Sequence, residues 1–162
     1  MKPLKIVGIQ YAALPFRIEA RQVWVLLITS RGTQRWIIPK GWPMVGRRPQ
    51  EAAATEAAEE AGIIGEVEDK PVGSYRYDKR LKGEATTAVQ VIVFPFRVQA
   101  QADDWKEHGQ RRFAWFRYQK AAALVAEPAL RHLIRDFGAD RSPGFLAQSL
   151  RSYRSWRAVA RG

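Results

Sequence analysis

Residues 39–63 read PKGWPMVGRRPQEAAATEAAEEAGI, and the rest of the chain is organised around them. Pro49 suits the first turn of a helix, where its missing N–H costs nothing. Gly62 suits the left-handed position just past a helix end. The alanine-rich run between them has high helix propensity. Glu56, Glu59 and Glu60 are spaced i, i+3, i+4, so all three share one helix face. Like charges at i, i+4 repel, and acids near a helix C-terminus oppose the macrodipole. No cation nearby in sequence answers them: residues 49–69 hold seven acids and no Lys or Arg, in a chain of net charge +11. Clustered hard oxygen donors suit a divalent cation that also takes phosphate oxygens. On the helix alone, a solvated acidic face accounts for the pattern equally well. The loop ahead of it tilts the balance, because Gly41 and Gly46 bracket a segment where backbone can approach closely or take positive φ.

The stretch resembles the signature of the Nudix hydrolases, G-x5-E-x7-R-E-U-x-E-E-x-G-U, where U is a bulky aliphatic residue. Gly41, Glu56, Glu59, Glu60, Gly62 and Ile63 fall in register without a gap across 23 residues. Arg47 stands where the pattern has Glu, Thr55 where it has Arg, and Ala57 is smaller than the usual aliphatic. The family's first Glu and Arg help arrange the ligand helix. Their joint replacement spares this chain an unpaired charge. The resemblance implies an α/β/α sandwich with a mixed β-sheet and a loop–helix–loop catalytic motif. It implies Glu56, Glu59 and Glu60 as ligands of Mg2+ or Mn2+. It also implies a further acid in a later loop, for which Glu107 is the candidate and Glu84 a weaker one. A solvated loop glutamate is the competing account of Glu107.

The implied reaction is metal-dependent cleavage of a phosphoanhydride bond, with Glu60 or Glu107 taking the water proton and Glu56 beside them. Arg31, Arg35, Lys40, Gly41 and Arg47 are the candidate substrate-binding residues. Arg17, Lys79, Arg80 and Lys82 are further cations that could meet phosphate, although any one of them taken singly reads as a surface charge. Arg47 reads equally well as a solvated arginine. The surround RWIIPKG and AAATEAAEEAGI is similar to the subgroup acting on diphosphoinositol and dinucleoside polyphosphates. Two other functions fit the same residues. One is a non-catalytic Nudix-like domain binding a nucleotide or RNA. The other is an RNA 5′ pyrophosphohydrolase, suggested by the aromatic–basic run RSYRSWR at 151–157.

At 162 residues the chain is one domain by length. It has no cysteine, which excludes disulfides and thiolate metal sites. The N-terminal MKPLKIVGIQ lacks the apolar run of a signal peptide, and no run reaches the ~20 apolar residues of a membrane span. The expectation is a cytoplasmic protein, monomer or homodimer, without membrane contact. The positive charge implies polyanionic partners: a polyphosphorylated small molecule is favoured over nucleic acid. His108 and His132 show no metal-ligand spacing, and G-x4-G-K-[ST] is absent.

Hydrophobic patterning predicts strands at 4–14, 22–30, 35–38, 70–79, 85–98 and 112–116, with helices at 118–125, 128–137 and 142–160. Pro15 is expected to open a turn, and Pro95 to mark an edge or strand end. Residues 1–140 are expected to form the hydrolase domain. Residues 141–162 are expected to form a basic amphipathic helix packed on it.

Overall fold

The computed structural model describes residues 6–143. The expected helix at 142–160 and the RSYRSWR run fall almost wholly outside these residues.

Among the described residues, eight strands form one sheet and three helices cover it. In chain order they are β1 (Ile6–Glu19), β2 (Gln22–Thr29), β3 (Trp36–Ile37), β4 (Lys40–Gly41), α1 (Pro49–Ala61), β5 (Ile63–Val67), β6 (Gly73–Arg80), β7 (Thr86–Gln101), β8 (Phe113–Arg117), α2 (Tyr118–Leu124) and α3 (Pro128–Arg141). The sheet runs β3-β2-β1-β7-β5; β4 also pairs with β1, β6 with β7 and β8 with β2. β1 and β7 are parallel, whereas the other pairings are antiparallel.

Side chains alternate across the central strands, so the sheet is apolar on both faces. Ala12, Leu14 and Phe16 of β1, with Val89, Val91 and Val93 of β7, pack on one side against Leu130, Ile134 and Phe137 of α3 and Ala121 and Ala122 of α2. Ala13, Leu26, Ile28, Phe94 and Phe96 pack on the other side against Ala53, Ala57 and Ala61 of α1. The result is the expected α/β/α sandwich. The small residue Ala57 thus sits on the inner face of α1, where it is fully buried. Phe16 is also fully buried and meets Phe137 edge-on at 4.9 Å. Truncating such a residue costs ~3–5 kcal/mol.

Two expectations about proline fail. β1 continues through Pro15, and β7 continues through Pro95. Both prolines lie where one neighbouring strand gives way to another. Ala13 donates its N–H to Pro39 O, so the donor missing at Pro15, two residues on, would face the same side. It falls between the β4 pairing, which ends at Ala12, and the β2 pairing, which starts at Phe16. Pro95 falls between the last β6 partner, Val93, and the first β5 partner, Phe96. Each proline thus falls at a gap between successive partners, where a strand tolerates a missing donor. The residues after the helix also form a strand, β5, which the hydrophobic patterning did not predict.

Candidate active site

α1 begins with Pro49 in its first turn and ends at Gly62, which is left-handed at φ 66° and donates its N–H to Ala58 O at 3.0 Å. With Ala53, Ala57 and Ala61 turned to the sheet, Glu56, Glu59 and Glu60 are carried to one rim of a cavity of about 1090 Å3. The loop after β7 closes the same rim. Glu107 donates its N–H to Glu59 O at 3.0 Å, which ties that loop to the last turn of α1, and its side chain joins the three glutamates in lining the cavity.

Gly41 is required by close approach. A Cβ there would lie 2.0 Å from Glu56 Oε1, so the carboxylate rests directly on bare backbone. Glu60 is 8% exposed. Lys40 N–H points at its Oε2 at 3.4 Å, and Arg111 Nη2 lies 3.5 Å from its Oε1. Burial pushes the Glu60 carboxyl up to about 7; Arg111 and Lys40 oppose the rise, and Glu56 and Glu107 add to it. Burial, with the charges of Glu59 and Glu107, also raises Glu56, and a hydrogen bond with Glu60 partly offsets this. Burial lowers the Lys40 ammonium, against the pull of Glu60 and Glu127.

The cations missing from the sequence around α1 therefore arrive from elsewhere. Arg111, anchored by donation from Nη1 to Thr29 O at 3.1 Å, reaches Glu107 at 3.4 Å as well as Glu60. Lys106 reaches Glu59 at 3.5 Å, and Arg31 reaches Glu107 at 3.3 Å. Spacing along the chain gave no signal for Arg111. It lies far from α1 in sequence and depends on the β2–β8 pairing for its position. Tyr77, which donates to Gln10 at 2.7 Å, also lines the cavity, as do Trp42 and Glu127. None of these four was singled out from sequence.

Of the candidate substrate-binding residues, Arg31, Arg35, Lys40 and Gly41 line the cavity, and Lys79 and Arg80 join them from β6. Arg47 does not. It is exposed and donates from Nη1 to Thr55 Oγ1, so the two departures from the signature touch each other on the outer side of α1. Thr55 in turn donates to Glu51 O at 3.0 Å. Arg17 also stands elsewhere, paired with Glu19 at 3.2 Å and lying over Trp115. Lys82 and Glu84 sit in the exposed hairpin between β6 and β7, outside the cavity lining. His108 stacks on Trp105 at 3.9 Å and meets Asp104 at 3.0 Å.

The donor chemistry suits a hard divalent cation: several carboxylates, two of them raised by burial and mutual repulsion, facing a space that phosphate can share. As the side chains stand, no three His, Cys, Asp or Glu among the described residues converge on a single ion position. Arg111, Lys40 and Lys106 supply the neutralising charge instead.

This fold and this helix define a class. Residues 10–137 match the family model for the NUDIX domain, and the chain belongs to the Nudix family. Among its relatives is the Arabidopsis thaliana protein "Nudix hydrolase 18, mitochondrial", 31% identical over 60% of this chain and 53% of the relative. Another is the Mus musculus "Diphosphoinositol polyphosphate phosphohydrolase 3-alpha", 30% identical over 70% of this chain and 66% of the relative. The chain thus spans between about half and two thirds of the length of these two. Among solved structures, a C. elegans Ap4A hydrolase binary complex aligns with TM-score 0.62 at 21% identity, covering 88% of this chain and 99% of that one. The MutT protein from Methanosarcina mazei aligns with TM-score 0.60 at 25% identity, covering 84% and 96%. No helix among the described residues is long and apolar enough to cross a membrane.

Proposed function

We propose that the chain hydrolyses a phosphoanhydride bond in a polyphosphorylated small molecule, in a reaction that depends on a divalent metal. One observation carries this reading: Glu56, Glu59, Glu60 and Glu107 line the same cavity as Arg31, Arg35, Lys40, Lys79 and Arg80. Carboxylates alone would repel phosphate, and cations alone would bind it without breaking it. Together they suit binding and cleavage. Mg2+ or Mn2+ held by Glu56, Glu59 and Glu60 would supply charge neutralisation at the phosphate oxygens. The chain's own groups do the remainder. Lys40 and the arginines hold the phosphates that do not react through charge-assisted hydrogen bonds. Glu60, buried on the cavity rim beside Arg111, takes the proton of the attacking water. Glu107 is already engaged by Arg31 and Arg111 and orients that water. The attack forms one P–O bond, breaks the bridging P–O bond and releases two phosphate-bearing products. Dinucleoside and diphosphoinositol polyphosphates are the substrates to try first, since a relative and a structural neighbour carry such names.

The test is product release from a panel: a diadenosine polyphosphate, a nucleoside triphosphate, a nucleoside diphosphate sugar, a diphosphoinositol polyphosphate and a 5′-triphosphorylated RNA. Each is run with Mg2+, with Mn2+ and with chelator. Turnover is expected with metal only, and Glu60→Gln should reduce kcat by about 10²-fold or more. Tight binding without turnover anywhere on the panel would replace this reading with a ligand-binding domain.

A further inference from the structure

Glu127 stands apart from the acids of α1 and of the loop after β7. It is the residue just before α3, and its side chain lines the same cavity. The side chain is 11% exposed, and its nearer oxygen lies 3.9 Å from Arg35 Nη1. That exceeds hydrogen-bond distance. The other oxygen, Oε2, is buried with no hydrogen-bond partner at all. The neighbouring groups do not supply the missing bonds. Tyr77 gives its hydroxyl proton to Gln10, and the Lys40 ammonium lies over the Tyr77 ring at 4.9 Å. A buried carboxylate so poorly provided with donors is a standing acceptor.

Arg31, Arg35, Lys40, Lys79 and Arg80 of the cavity wall favour phosphate. Glu127 does not. A phosphate oxygen arriving there would bring an acceptor to an acceptor and a negative charge to a negative charge. A hydroxyl or amine N–H arriving there would complete the carboxylate. Trp42 adds a second feature of the same kind. It is 45% exposed and lines the cavity. Gly8 packs so close to its ring that a Cβ would lie 2.7 Å from Cζ3, which fixes an aromatic surface at the wall. Lys79 lies 5.6 Å from the ring centroid.

We infer that Glu127 is a specificity-determining residue: it admits a substrate whose non-reacting end is an uncharged, donor-bearing nucleoside and rejects a ring that carries phosphate at every position. This rests on the hydrolase reading for its purpose but not for its measurement. Hydroxyls or a base amine satisfy Glu127, Trp42 offers a stacking face, and the cations of the cavity wall hold the polyphosphate.

The test reads ligand selectivity without turnover. Dissociation constants of α,β-methylene ATP and inositol hexakisphosphate are measured by calorimetry on the full chain, in chelator, at one fixed ionic strength. The wild type is compared with Glu127→Gln, Glu127→Lys and Glu66→Gln, a control exposed on β5 outside the cavity lining. The ratio of the two constants is expected to move toward the inositol phosphate by about tenfold or more in Glu127→Lys, and in the same direction in Glu127→Gln. The control ratio should not move. Glu127→Gln keeps the residue's size and decides the matter should Glu127→Lys fail to fold. A smaller shift in the ratio, or parallel weakening of both ligands as a purely structural ion pair would give, overturns the inference. Absence of turnover across the substrate panel would sink the hydrolase reading and leave this selectivity measurement intact.

Discussion

Glu60 is buried among Arg111, Lys40, Glu56 and Glu107, and its protonation is linked to folding. Its carboxyl is pushed from the ordinary 4.5 to about 7 in the folded chain. The folded state therefore binds the proton more tightly than the unfolded state. That contribution to stability, at most about 3 kcal/mol, is complete below pH ~4.5 and is lost as pH rises through about 7. In chelator, Glu60→Gln should therefore melt progressively higher than wild type as pH rises from 5 to 8, with the two converging near pH 4.5. Added Mg2+ should raise the wild-type Tm at pH 8 and leave the variant nearly unmoved. Thermal melts across that range check both statements; a variant less stable than wild type at pH 8 in chelator would refute them. Gly41 poses a different test. An added Cβ meets the end of a flexible carboxylate, 2.0 Å from Oε1 of Glu56, and that carboxylate can yield. The cost then falls on the site and spares the fold. Gly41→Ala should lower kcat about tenfold or more through the displaced glutamate, with a Tm within a few degrees of wild type. A large loss of Tm would instead make Gly41 a structural residue.

At the scale of the element, α1 carries its own instructions, and this is why it was readable. Pro49, the alanines and Gly62 act within one or two turns, and the i, i+3, i+4 spacing places the glutamates without help from distant parts. Arg111 obeys no such local rule. Its position follows from β8 pairing with β2, which brings Arg112 N–H to Thr29 Oγ1 at 2.9 Å and Arg111 Nη1 to Thr29 O. The interior prolines were misread for a related reason: whether a strand tolerates proline depends on which neighbour lies beside it at that residue. The Arg47–Thr55 contact was half legible. The two substitutions were visible as a pair, but their contact with each other was not. That contact predicts coupling. Thr55→Arg sets two guanidiniums against each other across the first turns of α1 and should cost up to ~1 kcal/mol. Adding Arg47→Glu restores opposite charges and should recover it, for a coupling of about 0.5–1 kcal/mol in a double-mutant cycle. Urea unfolding of the four proteins measures this. Strict additivity would mean the two side chains act independently in solution.

For the whole molecule, a net charge of +11 and a cavity walled partly by Arg31, Arg35, Lys40, Lys79 and Arg80 act on the same step. Under the proposed function, the broad field of the chain would raise the local concentration of a polyanion, and the cavity cations would hold it once captured. The two layers differ in how salt affects them. The field is screened over a Debye length of ~8–10 Å near physiological ionic strength. Lys40 is partly sheltered by burial and by its contact with Tyr77, so its hold on phosphate weakens less. In the proposed reaction the chemical step would use Glu60 inside the site and be nearly blind to salt. Raising ionic strength from 50 to 500 mM should therefore raise KM for a polyphosphate substrate by about tenfold while kcat changes less than about twofold. Initial rates in potassium chloride and in potassium glutamate would check this, the second salt excluding a specific effect of chloride. If kcat fell together with kcat/KM, the screened cations would be acting in the transition state itself, and the field would belong to catalysis as well as to capture. If KM stayed flat, the positive charge would serve some other partner, and binding at this cavity would rest on its buried groups alone.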